Sequence, residues 1–157
     1  MTNVTNNYVD RTNTIISFVN KAIKKLTFRF QAKVKSEKLT GQVLNVRTGR
    51  LRRSMNTSFQ EEESGLISGF LGTNVPYAKP HEFGFEGEVQ VQEYMMTQKQ
   101  VFGRMLQNPI QVTVKAHMRK VKIPEKSFMR SALGEMRDEI TEAINDAISR
   151  GLNGDQS

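Results

Sequence analysis

From Ile15 to Val34, apolar residues recur at three- and four-residue steps: Ile15, Val19, Ala22/Ile23, Leu26, Phe30 and Val34. A stripe of that period commits the segment to an amphipathic helix of about five or six turns, which the rest of the chain must cover. Thr12, Asn13 and Thr14 are each suited to cap its start. The same period returns near the other end. Met129, Leu133, Met136, Ile140, Ala143/Ile144 and Ala147/Ile148 line one face of a helix that Ser127 or Pro124 opens and Gly151 stops.

Between these helices the period falls to two. Met55, Thr57 and Phe59 alternate with Asn56, Ser58 and Gln60, as a strand requires. Glu61 to Gly65 form an acidic turn, and Leu66–Thr73 read as the partner strand of an antiparallel hairpin. The glycines in that strand point to bulges or to close approach of another backbone. Farther on, Val89-x-Val91-x-x-x-Met95 is echoed by Val112-x-Val114-x-x-x-Met118, at an offset of 23 residues. Phe102 to Pro109 connect the two, with Gly103, Asn108 and Pro109 as turn chemistry. The expected fold is α+β. A long N-terminal and a long C-terminal helix pack on an antiparallel β-sheet, with a short helix at 77–83 and a projecting β-arm at about 88–123. Residues 12–151 form one domain, between an Asn/Thr-rich disordered arm (1–11) and a tail (152–157).

The segment Val75-Pro76-Tyr77-Ala78-Lys79-Pro80-His81-Glu82-Phe83-Gly84 concentrates residues that filling a core rarely demands. Pro76 ends the preceding strand. Pro80 fits the first turn of a short helix, and Gly84 fits a left-handed cap. Tyr77 and Phe83 anchor the turn, and Glu82 is the polar group to explain. His81 and Glu82 are adjacent, about 100° apart on a helix, so they lack the i, i+4 spacing of zinc-binding helices. The chain has no cysteine, which excludes thiolate sites and disulfides. It has no G-x-S-x-G elbow, P-loop or dinucleotide fingerprint. No catalytic residue, metal or cofactor is expected. Glu82 is instead read as a carboxylate held by an arginine, with Arg47, Arg50, Arg52 and Arg53 as the nearest cluster in sequence. That cluster fits three roles: a solvated face, an interface for carboxylates, or a phosphate binder.

The net charge of +7 is unevenly spread. Residues 10–40 carry eight basic and two acidic groups, whereas residues 61–100 carry seven acids and two lysines. Such alternation suits a chain that packs against copies of itself or against acidic partners. It also offers basic groups to DNA: Lys21, Lys24, Lys25 and Arg29 on the first helix, and Lys115, Arg119, Lys120 and Lys122 near the arm. A nonspecific DNA-binding protein is therefore the alternative reading. No zinc finger, RNA-recognition motif or aromatic interleaving supports sequence-specific binding. No apolar run approaches the ~20 residues of a membrane span, and the polar N-terminus shows no signal segment, so a cytoplasmic origin is expected.

Three stretches in order resemble one family. Val46-Arg47-Thr48-Gly49-Arg50-Leu51-Arg52-Arg53-Ser54 resembles its TGxLxxS element. Val75-Pro76-Tyr77-Ala78 through His81-Glu82-Phe83-Gly84 resembles its YAxxxEFG signature, and Pro124-Glu125-Lys126-Ser127-Phe128-Met129-Arg130-Ser131-Ala132-Leu133 resembles its PxRPFLRPAL helix start. The family is the tail-component and tail-completion proteins of long-tailed bacteriophages, related to minor tail protein Z. The resemblance covers about residues 12–150. This chain departs from it at Ser127, where the family often has Pro, and in a longer 88–124 stretch. The resemblance implies a structural virion protein, assembled in the host cytoplasm, that forms a ring, often of six subunits in this family, at the neck or the head-proximal end of the tail. It would complete the tail or join it to the head. Its partners would be its own copies, the connector, stopper or tail-terminator and tail-tube proteins, and genomic DNA passing through the lumen. Arg47, Arg50, Arg52, Arg53, Tyr77, Glu82, Phe83 and Phe128 are the expected subunit or partner contacts.

Overall fold

The computed structural model describes residues 2–41, 43–44 and 48–153, with side chains described from Asp10 onward. Helix α1 spans Thr2–Lys33 and runs on into a π-helical turn, Val34–Lys38. It therefore begins ahead of the expected Thr12–Thr14 start, and Thr2–Arg11, within the segment read as a disordered arm, form its first turns. The expected tail is shortened in the same way, because Leu152 and Asn153 close the last helix and 154–157 lie outside the described residues.

Helix α2 (Arg50–Ser54) precedes the hairpin of β1 (Asn56–Glu61) and β2 (Ile67–Gly72). The hairpin is stitched along α1 by side chains. Asn20 donates from Nδ2 to the Gly65 carbonyl at 2.8 Å, and its Oδ1 accepts from the Ile67 amide at 3.0 Å. Gln31 donates to the Met55 carbonyl at 2.8 Å. Between these ties Gly69 faces buried Thr27, whose Oγ1 would lie 2.1 Å from any added Cβ. The neighbour at Gly69 is thus the Thr27 side chain rather than another backbone.

The core lies where the end of α1, α2, the start of β1, α3 (Ala78–Phe83) and α4 (Phe128–Glu135) converge. Val34, Leu39, Leu51, Met55, Val75, Ala78, Phe128 and Ala132 fill it, and Phe128, Met55 and Val34 are fully buried. The expected single C-terminal helix is two. It breaks at Met136 (φ −94°, ψ 1°) between α4 and α5 (Arg137–Asn153). Apolar residues at 128, 129, 132, 133 and 136 span two helix faces, so spacing alone does not say which is buried. Phe128, Ala132 and Met136 face inward, and Leu133 is 48% exposed. Nor does Gly151 stop the last helix. It is buried inside α5 where α5 crosses α1, and an added Cβ would sit 2.7 Å from the Ile15 Cα.

The fold is α+β, and among the described residues the strands form three two-stranded antiparallel ladders rather than one sheet. Strands β3 (Phe85–Val91), β4 (Tyr94–Val101), β5 (Arg104–Val114) and β6 (His117–Ile123) build the arm. β3 pairs with β6, and β4 pairs with β5. The two ladders are in phase. Continuing the Val91↔His117 register through the unpaired residues leads directly to Tyr94↔Val114. The arm is thus one nested ribbon, and at ~3.3 Å per residue its 85–101 strand has a contour of about 55 Å. Its tip is only Phe102-Gly103, both with positive φ (46° and 79°), as a tight hairpin turn needs. Asn108 and Pro109, expected in the connection, lie within β5, where the register shifts opposite Gln98 and Gln100. A shift of this kind is where a strand tolerates proline.

Candidate functional site: a buried carboxylate at the root of the arm

Ser127 occupies the N-cap position of α4 in a left-handed conformation (φ 45°) and makes no side-chain cap. The first amides of a helix need acceptors, and its N-terminus favours negative charge. Glu82 supplies both from 47 residues away in sequence. Its Oε2 accepts from the Met129 amide and its Oε1 from the Arg130 amide, each at 2.9 Å. The Arg130 side chain then closes over the pair. Its Nε donates to Glu82 Oε1 at 3.2 Å, and one terminal nitrogen donates to the Glu82 carbonyl at 2.9 Å and to Glu125 at 2.6 Å. The guanidinium lies 4.7 Å from the centroid of the Phe83 ring. Glu82 is 5% exposed, so this carboxylate is buried with its oxygens occupied.

The backbone repeats the connection. The Lys126 amide donates to the His81 carbonyl at 2.8 Å, and the Ser127 amide to the Glu82 carbonyl at 3.2 Å. Gly84 leaves α3 at φ 77°, ψ 163°, an extended conformation that is essentially glycine's alone rather than the expected left-handed cap. Its missing Cβ also makes room for the Glu125 amide nitrogen, 3.2 Å from where a Cβ would be. The 75–84 segment therefore pins the end of α3 to the start of α4, at the point from which both strands of the arm depart.

Several expected contacts change place. Glu82 is held by Arg130, not by the cluster before β1. Arg50, Arg52 and Arg53 are exposed and ion-pair with no acid among the described residues, while Arg47 lies outside them. Phe128 is fully buried in the core and so is not a surface contact. Tyr77 and Phe83 are 40% and 57% exposed, and the anchors of the turn are Val75 and Ala78. Tyr77 meets His81 edge-on, with ring centroids 6.2 Å apart.

Several of the basic residues read as DNA-facing are paired. Arg29 pairs with Glu139 at 2.5 Å and Lys122 with Glu86 at 2.9 Å. Lys21 lies over the Phe18 ring, and Lys120 stands opposite Glu88 in the ladder. Lys24, Lys25, Lys115 and Arg119 are exposed. Strand alternation places Lys115 and Arg119 on one side of the ribbon and Lys120 and Lys122 on the other.

A second polar cluster has no local signal in the sequence. Glu135, at the end of α4, meets Lys38 at 2.5 Å and Lys33 at 3.1 Å, and Lys33 also meets Glu37 at 2.8 Å. Hydrogen bonds from Lys38 and then Lys33 hold the Glu135 carboxyl below its ordinary pKa. Glu37 and then Glu135 hold the Lys33 ammonium above its own. The cluster ties α4 to the end of α1. Among the described residues, no three metal-capable side chains converge, and no helix is long and apolar enough to cross a membrane.

The chain matches no protein-family model, no curated protein and no solved structure.

Proposed function

We propose that this chain is a structural subunit of a long-tailed phage virion, which assembles as a ring at the neck or head-proximal end of the tail and completes the tail or joins it to the head. One observation carries the reading: the most elaborate polar site in the molecule is spent on holding a projecting ribbon to the body. Both Glu82 oxygens accept hydrogen bonds from the first amides of helix α4 and from the Arg130 side chain, so the carboxylate is engaged in holding the joint. The ribbon it supports reaches away from the helices. A body that fixes the root of an arm fits a subunit that engages a neighbour. The order of the three sequence motifs supports the same reading, since two of them meet at this joint.

Disrupting the gene in its phage tests the proposal. The expected outcome is filled heads and separate tails by electron microscopy, with infectivity restored by the gene in trans. Fully joined, infectious particles from the disrupted phage would overturn it. The DNA-binding alternative predicts a gel shift of duplex DNA by the isolated chain that weakens steeply with salt.

A further inference from the structure

The outer half of the arm is built unlike a solvent-exposed ribbon. Residues 94–114 contain Lys99 and Arg104 and no acid. Tyr94, Met95, Met96, Met105 and Ile110 are 42–74% exposed, and Phe102 at the tip is entirely exposed. An isolated two-stranded ribbon is marginal in water, and an exposed apolar strand pair invites association. The β1–β2 hairpin is its electrostatic complement. Residues 55–78 hold Glu61, Glu62 and Glu63 and no basic residue. Its face turned away from α1 carries Phe70, 49% exposed and paired with Ser58.

We infer that the arm tip of one subunit docks on the outer face of the β1–β2 hairpin of a second copy, seating Phe102 beside Phe70 with Lys99 and Arg104 against the Glu61–Glu63 turn. The occupant is another copy because this chain carries both halves of the charge match. The contact joins two different patches, so repeating it yields a closed ring or an open filament rather than a two-fold dimer. The arm's contour of about 55 Å is long enough to cross to a neighbour. This inference identifies the subunit contact of the ring proposed above and rests on that reading.

The absence of cysteine gives a clean background for cross-linking in the full-length chain. Phe102→Cys and Phe70→Cys proteins, mixed and oxidised, should form the mixed disulfide in at least fivefold excess over either like-with-like product. A chain carrying both changes should give covalent oligomers larger than dimers. Lys99→Glu with Arg104→Glu should cut the mixed product about tenfold, and adding Glu61→Lys with Glu63→Lys in the partner should restore it. Glu62 is left alone because it accepts from Ser68 within the hairpin. All six altered sites are exposed, and unchanged circular dichroism would confirm that the variants fold. Absence of the mixed disulfide at millimolar protein, or a dominant Phe102→Cys homodimer, would overturn the docking contact. The tail-completion reading would survive either result, since it stands or falls on the gene-disruption phenotype.

Discussion

The root and the tip of the arm solve opposite problems. At the root, a carboxylate is taken out of water and both of its oxygens face donors. At the tip, aromatic and methionine side chains are left largely exposed to water. Burial of a charge is costly unless it is fully paired, so Glu82 is informative about what must stay fixed. Exposure of large apolar groups is informative about what must be covered. Together they describe a chain whose fixed polar contacts are concentrated at a joint and whose exposed apolar groups lie some tens of ångströms from it.

The contrast is most easily broken at the root. Glu82→Ala removes the cap of α4 and strands Arg130, and is expected to lower unfolding stability by about 3 kcal/mol or more, read from urea midpoints. Glu82→Gln retains an acceptor and should lose less. Next is the crossing of α1 and α5. In an open helix, Gly→Ala would gain up to about 1 kcal/mol. At Gly151 the new Cβ would sit 2.7 Å from backbone of α1, which cannot swing aside as a side chain can. Gly151→Ala should therefore cost about 1–2 kcal/mol net, as overpacking does.

A smaller effect comes from pH. Glu135 is held below its ordinary pKa, so its contribution is complete above the unfolded carboxylate value and is lost as pH falls through the lower folded value. Lys33 is held above its ordinary value, so its contribution is complete below the unfolded lysine pKa and fades as pH rises through the folded one. Glu135→Gln should flatten the acid limb of a stability-versus-pH curve, and an unchanged limb would remove this cluster from the account. The smallest effect on stability is expected at the tip. Phe102→Ser should shift the urea midpoint by no more than ~0.5 kcal/mol equivalent, because Phe102 packs on nothing. A large loss there would erase the distinction between root and tip.

The helical stripe from Ile15 to Val34, the hairpin at 56–72 and the arm are all legible as periodicity, because each buries or alternates one face. What periodicity does not carry is choice between two apolar faces. Hence α4 and α5 read as one helix, and Leu133 as buried. The role of Glu82 was half legible. Its segment stood out by composition, but its partner did not, since Arg130 lies beyond the whole arm and the nearer arginines of the 47–53 cluster compete for the assignment. Ser127 was misleading in the same way: a good capping residue next to a helix start, displaced by a carboxylate that tertiary structure brings closer. The Lys33–Lys38–Glu135 cluster left no trace, because its members are ordinary surface charges until the fold joins them. The valine echo marks the two strands' apolar stripes, which fall on opposite sides of one ribbon.

Amide hydrogen exchange, compared between the isolated chain and the assembled oligomer, tests the division between fixed joint and waiting arm most directly. Amides at 126–130 should already be slow in the isolated chain and unchanged on assembly. Residues 94–114 should exchange fast alone and gain protection on assembly, together with added protection at 61–70. Slow exchange throughout the arm in the isolated chain, or new protection confined to 126–130 on assembly, would contradict it.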